Sequence, residues 1–425
     1  MRRKPSRLSR SFRLRGALAL GMAVLGFTGL ALAQTTPAMA DPTQTLVVVG
    51  SDTIQDVYNQ FALNASGNLI GSYNATNPVT NAAHEIITPV DGTASANCSF
   101  ARPNGSGEGV SALRWAMNPN TTNGGAAPTP VPQAGCADIA RSSSGPTSQG
   151  FQDPAGAMVY IPFALDAVGT ATGPADVTAC PTFNPCPAFN VVTPNNGTVS
   201  VSPVNTVITT ADQFTFGDLQ TLYDNCQPVT EGGITYDPTG TIAGDTKIDL
   251  YIPQSGSGTR SFWASTLGFS NATPPSCDHD HIVGGVLAND NVLVEEHDGT
   301  AAVSDPNGFG PFSIAQWIAQ RNHHNDRRHG AVLHNLTPTG STTPVSPFSN
   351  GNPGTGSLNT NFPITRNVYS VVSFARVTNP ADPLNHLLNG STSFVCSQSI
   401  ALIQYGFGLI PSTCGQVLAT NRVDD

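Results

Sequence analysis

The chain has 425 residues, an acidic balance of 28 Asp+Glu against 18 Lys+Arg, and only 11% charged residues. A chain this poor in basic residues offers no positive stripe for a phosphate backbone, so nucleic acid is excluded as a partner. The length exceeds what one ordinary core holds and predicts two lobes.

The first 40 residues read as a secretory signal peptide. Arg2, Arg3, Lys4, Arg7, Arg10, Arg13 and Arg15 precede an apolar run over residues 17–33, and Ala38-Met39-Ala40 is a small-x-small cleavage signature before Asp41. A membrane anchor is the alternative, but Gly21, Gly26, Thr28 and Gly29 interrupt the run, which falls short of the ~20 residues a span prefers. No cysteine precedes Cys98, so the new N-terminus has no site for a lipid. Cleavage removes seven of the 18 basic residues and no acidic one, leaving 11 against 28, a net charge of −17, with Lys247 as the single lysine. The expected location is secreted or periplasmic. A protein this acidic can hold an anion only through local donors: backbone N–H groups, hydroxyls and a few arginines.

Apolar segments then alternate between strand and helix patterns. Leu46-Val47-Val48-Val49 predicts a buried strand, followed by a helical pattern at Ile54, Val57, Tyr58 and Phe61. A short helix is expected over 109–117 and a strand over 158–168, where Pro162 argues for an edge or crossover position. Further on come a helix at 216–223, a strand at 248–252, helices at 260–267 and 315–321, a strand at 368–375 and a late helix at 397–405. This alternation implies an α/β class. Residues 118–135, 171–205 and 322–361, rich in Pro, Gly, Thr or Asn, read as insertions or surface loops. No internal repeat is visible.

The eight cysteines all follow residue 41, and an even count in an exported chain favours disulfides. Sequence does not fix their pairing. Neighbour pairing closes short loops and is the expectation: Cys98–Cys136, Cys180–Cys186, Cys226–Cys277 and Cys396–Cys414.

Three places share one design, in which small hydroxyl and glycine residues lead into a helix. They are Gly50-Ser51-Asp52-Thr53, Gly105-Ser106-Gly107-Glu108-Gly109 and Ser255-Gly256-Ser257-Gly258-Thr259-Arg260. A helix start has unpaired N–H groups and the positive end of the dipole; glycine permits close approach, and Ser or Thr adds an O–H donor. One such loop is ordinary capping. Three of them, spread over both halves, point to an anion site.

With Asp138-Ile139-Ala140-Arg141-Ser142-Ser143, this ordered set resembles the phosphate-binding proteins of the PstS type, the solute-binding subunits of phosphate ABC transporters. Tyr160-Ile161-Pro162-Phe163-Ala164, Asn307-Gly308-Phe309-Gly310-Pro311-Phe312 and the stretch from Asn361 to Tyr369 are similar to further segments of that family. The resemblance implies a two-lobed type-2 periplasmic binding-protein fold, each lobe a mixed sheet flanked by helices, joined by two crossover strands. The implied division is 41–165 with 315–425 as lobe 1 and 166–314 as lobe 2. It also implies that the protein captures phosphate, or a similar tetrahedral oxyanion, between the lobes and delivers it to an ABC transporter membrane subunit, as a monomer. Its ligand donors would be Ser51, Asp52 and Thr53, then Ser106 and Gly107, and from the second lobe Ser257, Gly258 and Thr259.

Two positions depart from the family pattern. The aspartate that follows the serine of the third motif is here Ser143, and the arginine that precedes the Gly-Ser-Gly-Thr loop is here Pro253. Asp52 can replace the first as acceptor of the phosphate proton, and Arg141 or Arg260 the second, with Ser142 and Ser143 alongside. Against this stand plainer roles: Asp52 as a helix cap and Arg260 as a solvent-facing or acid-paired residue.

Asp278-His279-Asp280-His281, with His323, His324 and His329, has the composition of a metal site but reads as a solvated loop beside a disulfide. No cofactor or metal is expected. Neither a Gly-x-Ser-x-Gly elbow nor a Walker A loop is present, so a binding protein is expected rather than an enzyme. The alternatives are a secreted phosphohydrolase and a scavenger or adhesion protein of the same fold without a transporter.

Overall fold

The computed structural model describes residues 46–423, apart from 81, 90–97, 122–124, 126, 147–152, 154–155, 174–189, 193–197, 201–210, 286 and 323. A single curved sheet runs through the molecule. Its eight main strands are β1 (Leu46–Gly50), β2 (Ile70–Ser72), β3 (Ile139–Ser142), β4 (Met158–Thr172), β5 (Asp249–Tyr251), β6 (Asp278–His279), β7 (Gly308–Ser313) and β8 (Thr365–Ser373). Their spatial order is β6-β5-β7-β4-β8-β3-β1-β2. Two short strands, Val332–Leu333 and Arg422–Val423, also pair with β4.

Each half of the sheet repeats one plan. In the first half β2, β1 and β3 are parallel, and β8 joins β3 antiparallel. In the second half β6, β5 and β7 are parallel, and β4 joins β7 antiparallel. The 15-residue β4 links them: Met158 to Ala167 pair with β8, and Val168 to Ala171 pair with β7. Pro162 therefore lies in a crossover strand, opposite Tyr369, where the β8 register shifts between Val368 and Tyr369. A bulge there accommodates a residue with no ladder N–H.

Two large apolar cores flank this common strand, which makes the molecule a two-lobed α/β protein. One gathers Leu46, Val48, Tyr58, Phe61, Ile161, Phe163 and Val372 with the C-terminal residues Leu384, Leu402 and Phe407. The other gathers Leu219, Tyr223, Leu250, Trp263, Phe309 and Trp317, and also takes Leu333, Leu336, Phe348, Leu358 and Ile364. Residues 331–358, read from sequence as part of the insertion over 322–361, thus bury apolar side chains in the second core.

The longer helices among the described residues are α1 (Gln55–Asn64), α2 (Ser106–Met117), α3 (Phe216–Asn225), α4 (Gly258–Leu267) and α5 (Ile314–Arg321). α1 follows β1, α4 follows β5 and α5 follows β7 after only short turns. Three disulfides brace the structure: Cys98–Cys136, Cys226–Cys277 and Cys396–Cys414. The expected Cys180–Cys186 pair lies outside the described residues. No helix among the described residues is long and apolar enough to cross a membrane.

Candidate functional site

The strand-end loops converge between the lobes. Gly50, at φ +100°, ends β1, and a Cβ on Gly109 would lie 2.4 Å from its Cα. This backbone contact sets the first turn of α2 against the first loop. From the second lobe, Gly256 O accepts a hydrogen bond from Gly107 N at 3.0 Å. A Cβ on Gly258 would meet Ser106 Oγ at 2.2 Å and Ser143 Oγ at 2.7 Å. The starts of α2 and α4 and the end of β3 therefore meet at glycine contacts that admit no side chain.

Hydroxyls crowd the same place. Thr53 Oγ1 lies 3.5 Å from Thr259 Oγ1, across the two lobes. Ser106 Oγ lies 3.2 Å from Ser143 Oγ and accepts the Ser143 N–H at 3.0 Å. Ser257 caps α4, its Oγ accepting from Thr259 N at 3.1 Å and Arg260 N at 3.2 Å. The Ser51 hydroxyl is fully buried and has no hydrogen-bond partner among the described residues. Of the residues singled out in the sequence, Thr53, Ser106, Gly107, Ser143, Ser257, Gly258 and Thr259 are thus brought together. Ser142 is not among them: its hydroxyl turns to Ser144 O at 2.8 Å.

The two arginines weighed as oxyanion partners have other work. Arg141 is fully buried and donates through Nε to Ser51 O (3.0 Å), through Nη1 to Ser72 Oγ (2.7 Å), and through Nη2 to Gly50 O (2.9 Å) and Tyr73 O (2.6 Å). It ties β1, β2 and β3 together at their carboxyl ends. Arg260 pairs with Asp280 Oδ2 at 2.8 Å and donates to Asn271 Oδ1 at 3.2 Å, which also places Asp280 in an ion pair. A different arginine is close to the site electrostatically. Arg366 on β8 is buried, donates to Asp166 Oδ2 through Nη2 at 2.8 Å and through Nε at 3.1 Å, and its charge acts on Glu296. Its Nη1 has no hydrogen-bond partner among the described residues.

The main feature missed in the sequence is the segment Glu295-Glu296-His297. Glu296 Oε1 accepts from Thr53 Oγ1 at 2.5 Å and Thr259 Oγ1 at 2.8 Å, and Oε2 accepts from Ser257 Oγ at 3.1 Å. The chain's own carboxyl group therefore sits among hydroxyls from both lobes. The segment is pinned by Gln254 N to Val294 O (3.0 Å), Ser313 N to Glu296 O (2.9 Å) and Gln320 Nε2 to His297 O (2.7 Å). A signal was available: four consecutive ionisable residues, 295–298, stand out in a chain with only 11% charged residues.

Asp52 faces this segment. Its Oδ1 accepts the adjacent Thr53 N–H at 2.9 Å, and α1 has no side-chain cap. Its Oδ2 lies 2.8 Å from His297 Nδ1. Burial disfavours ionised Asp52, yet His297 outweighs it and holds the carboxyl well below the usual carboxylate range. Burial, reinforced by Asp52 and Glu296, pushes Glu295 far up, and burial with Asp52 raises Glu296. The environment thus favours the ionised form of Asp52 and disfavours that of Glu295 and Glu296.

No family model matches the chain, and no curated protein matches it. Solved structures similar to it include an ABC-type phosphate transport receptor from Vibrio cholerae, at 14% identity, covering 86% of this chain and 100% of that one, with a TM-score of 0.42. PstS from Borrelia burgdorferi is 14% identical and covers 86% of this chain and 99% of its own, with a TM-score of 0.36. A phosphate binding protein from Stenotrophomonas maltophilia is 11% identical over 87% and 91%, with a TM-score of 0.32. Likeness at this distance does not transfer a ligand. The chain is distantly similar to phosphate-binding proteins of the PstS type.

Proposed function

We propose that this protein is an exported solute-binding protein that closes its two lobes around phosphate or a similar tetrahedral oxyanion and passes it to an ABC transporter. The observation that carries this reading is the seat of Glu296. The two carboxyl oxygens of Glu296 occupy donors that suit an oxyanion, Thr53 from one lobe and Ser257 and Thr259 from the other. A free tetrahedral anion can take the same donors once Glu296 turns away, and the Asp52 carboxylate beside them can accept a hydrogen bond from protonated phosphate, which sulfate cannot donate. Lobe 1 would comprise 41–165 and the C-terminal part of the chain, lobe 2 the residues around 166–314, with bending where β4 and β7 cross. Three disulfides support an oxidising compartment outside the cytoplasm, after cleavage near Ala40-Asp41.

The test is calorimetric titration of the mature protein with phosphate and with sulfate, each with and without added Mn2+. Phosphate is expected to bind. The double variant Thr53→Val/Thr259→Val is expected to bind at least about tenfold more weakly, since each lost hydroxyl removes a hydrogen bond to a charged group worth about 1.5–3 kcal/mol. Asp52→Asn should narrow the preference for phosphate over sulfate. Absence of phosphate binding under all of these conditions overturns the reading.

A further inference from the structure

We propose that Asp52, Glu295, Glu296 and His297 form a binding site for one divalent first-row transition ion. One ligand atom from each of the four lies within 4.8 Å of all the others. The set combines residues from both lobes: Asp52 follows β1, and the other three precede the helix Thr300–Ser304. It is mixed in chemistry, three carboxylates with one imidazole, which suits Mn2+, Fe2+ or Zn2+ better than Ca2+ or Mg2+.

A second observation separates this group from an ordinary acidic cluster. His297 Nδ1 and Asp52 Oδ2 approach to 2.8 Å on side chains only 9% and 3% exposed. Beyond this ion pair neither atom has a hydrogen-bond partner among the described residues, and Glu295 Oε2 has none either. Buried polar atoms this close, with one ion pair among them and no further partner, are a costly arrangement in a folded protein. They are a natural one for donors that share an ion, because two ligands at about 2.0–2.2 Å from one metal stand roughly 3 Å apart. Charge argues the same way. Of the nearby arginines, Arg141 is engaged by backbone and Ser72, and Arg366, whose charge reaches Glu296, is paired with Asp166. A divalent ion would draw Glu295 and Glu296 into the ionised form beside Asp52, supplying positive charge that a single imidazole does not.

The cation site does not depend on the oxyanion reading, and it gives Glu296 a second place to go. With an ion present, Glu296 is drawn to the metal, and the hydroxyls of Thr53, Ser257 and Thr259 are freed.

The experiment is titration of chelator-treated mature protein with MnCl2 and with ZnCl2 in phosphate-free buffer. One ion per chain is expected. Binding should weaken at least about tenfold in His297→Ala and in the isosteric Glu295→Gln, as loss of one ligand of a small set implies. The control His279→Ala/His281→Ala should bind as the parent does. Circular dichroism confirms which variants are folded, and Glu295→Gln, which keeps the shape of the side chain, carries the test if His297→Ala unfolds. Absence of stoichiometric binding by either cation overturns the proposal. So does equal binding in the folded variants, or loss of binding only in the His279/His281 control. Because the buffer holds no phosphate, failure here leaves the oxyanion titration a separate result.

Discussion

At the residue scale, the described site shows how burial sets the role of a charge. Arg141 looked like a ligand because it sits in a motif of small hydroxyl residues. Its position on an interior strand, with four acceptors around it, makes it a structural clasp instead. Asp278 shows the converse, a charge the fold does not accommodate. Burial raises its carboxyl to about 8, Arg260 opposing and Asp224 adding to the rise, and its Oδ2 has no hydrogen-bond partner among the described residues. A folded-state value above the unfolded one means that folding binds a proton. The associated stability is complete below about pH 4 and is lost as pH rises toward about 8. Asp278→Asn should therefore remove a slope of up to about 1 kcal/mol per pH unit across that window. Thermal unfolding of parent and variant at pH 5 and pH 8 checks this: the variant's advantage should grow with pH.

At the element scale, the loops owe their convergence to helices that begin abruptly at strand ends. Gly258 is the sharpest case. It is helical, so alanine there should favour α4 by about 0.5–1 kcal/mol. The added Cβ would, however, meet Ser106 Oγ at 2.2 Å, Ser143 Oγ at 2.7 Å and Ser106 Cβ at 2.8 Å. Overpacking costs about 1–3 kcal/mol, which exceeds the helical gain and falls on the contact between lobes. Gly258→Ala is expected to hold the lobes apart, and solution scattering should show a larger radius of gyration than the parent's. An unchanged radius would mean that the serines yield without opening the cleft.

At the scale of the whole molecule, one buried carboxylate joins the parts. Asp166, on β4, accepts from Ser313 Oγ at 3.0 Å, from Ala315 N at 3.0 Å, and from Arg366 Nη2 at 2.8 Å. It thereby links both crossover strands, the start of α5 and β8, at the point where β4 passes from one core to the other. Removing its charge leaves Arg366 buried without its partner, a loss of about 3–5 kcal/mol. Asp166→Asn should lower the melting temperature markedly even though it touches none of the hydroxyls of Thr53, Ser257 or Thr259. A shift of less than a degree would show that the junction is not held this way.

Much of the framework was legible in the chain. Periodicity located β1, α1, α2, α3, β5, α4, α5 and β8 to within a few residues, because each has an apolar face that must be buried. The cysteine order anticipated the three disulfides described. The hydroxyl-glycine loops were legible too, since helix starts use few residue types. The repeated sheet plan of the two halves was not, because it lives in strand order rather than in residue identity. Nor was the recruitment of 331–358 to the second core. The tertiary structure alone decided which charges meet. Glu295, Glu296 and His297 lie 242 to 245 positions from Asp52 and Thr53 in the sequence, and no local pattern encodes that distance. Packing brings them together, and burial then decides their electrostatics. Sequence supplied the donors between the lobes, and only the fold revealed the carboxylates that share the space with them.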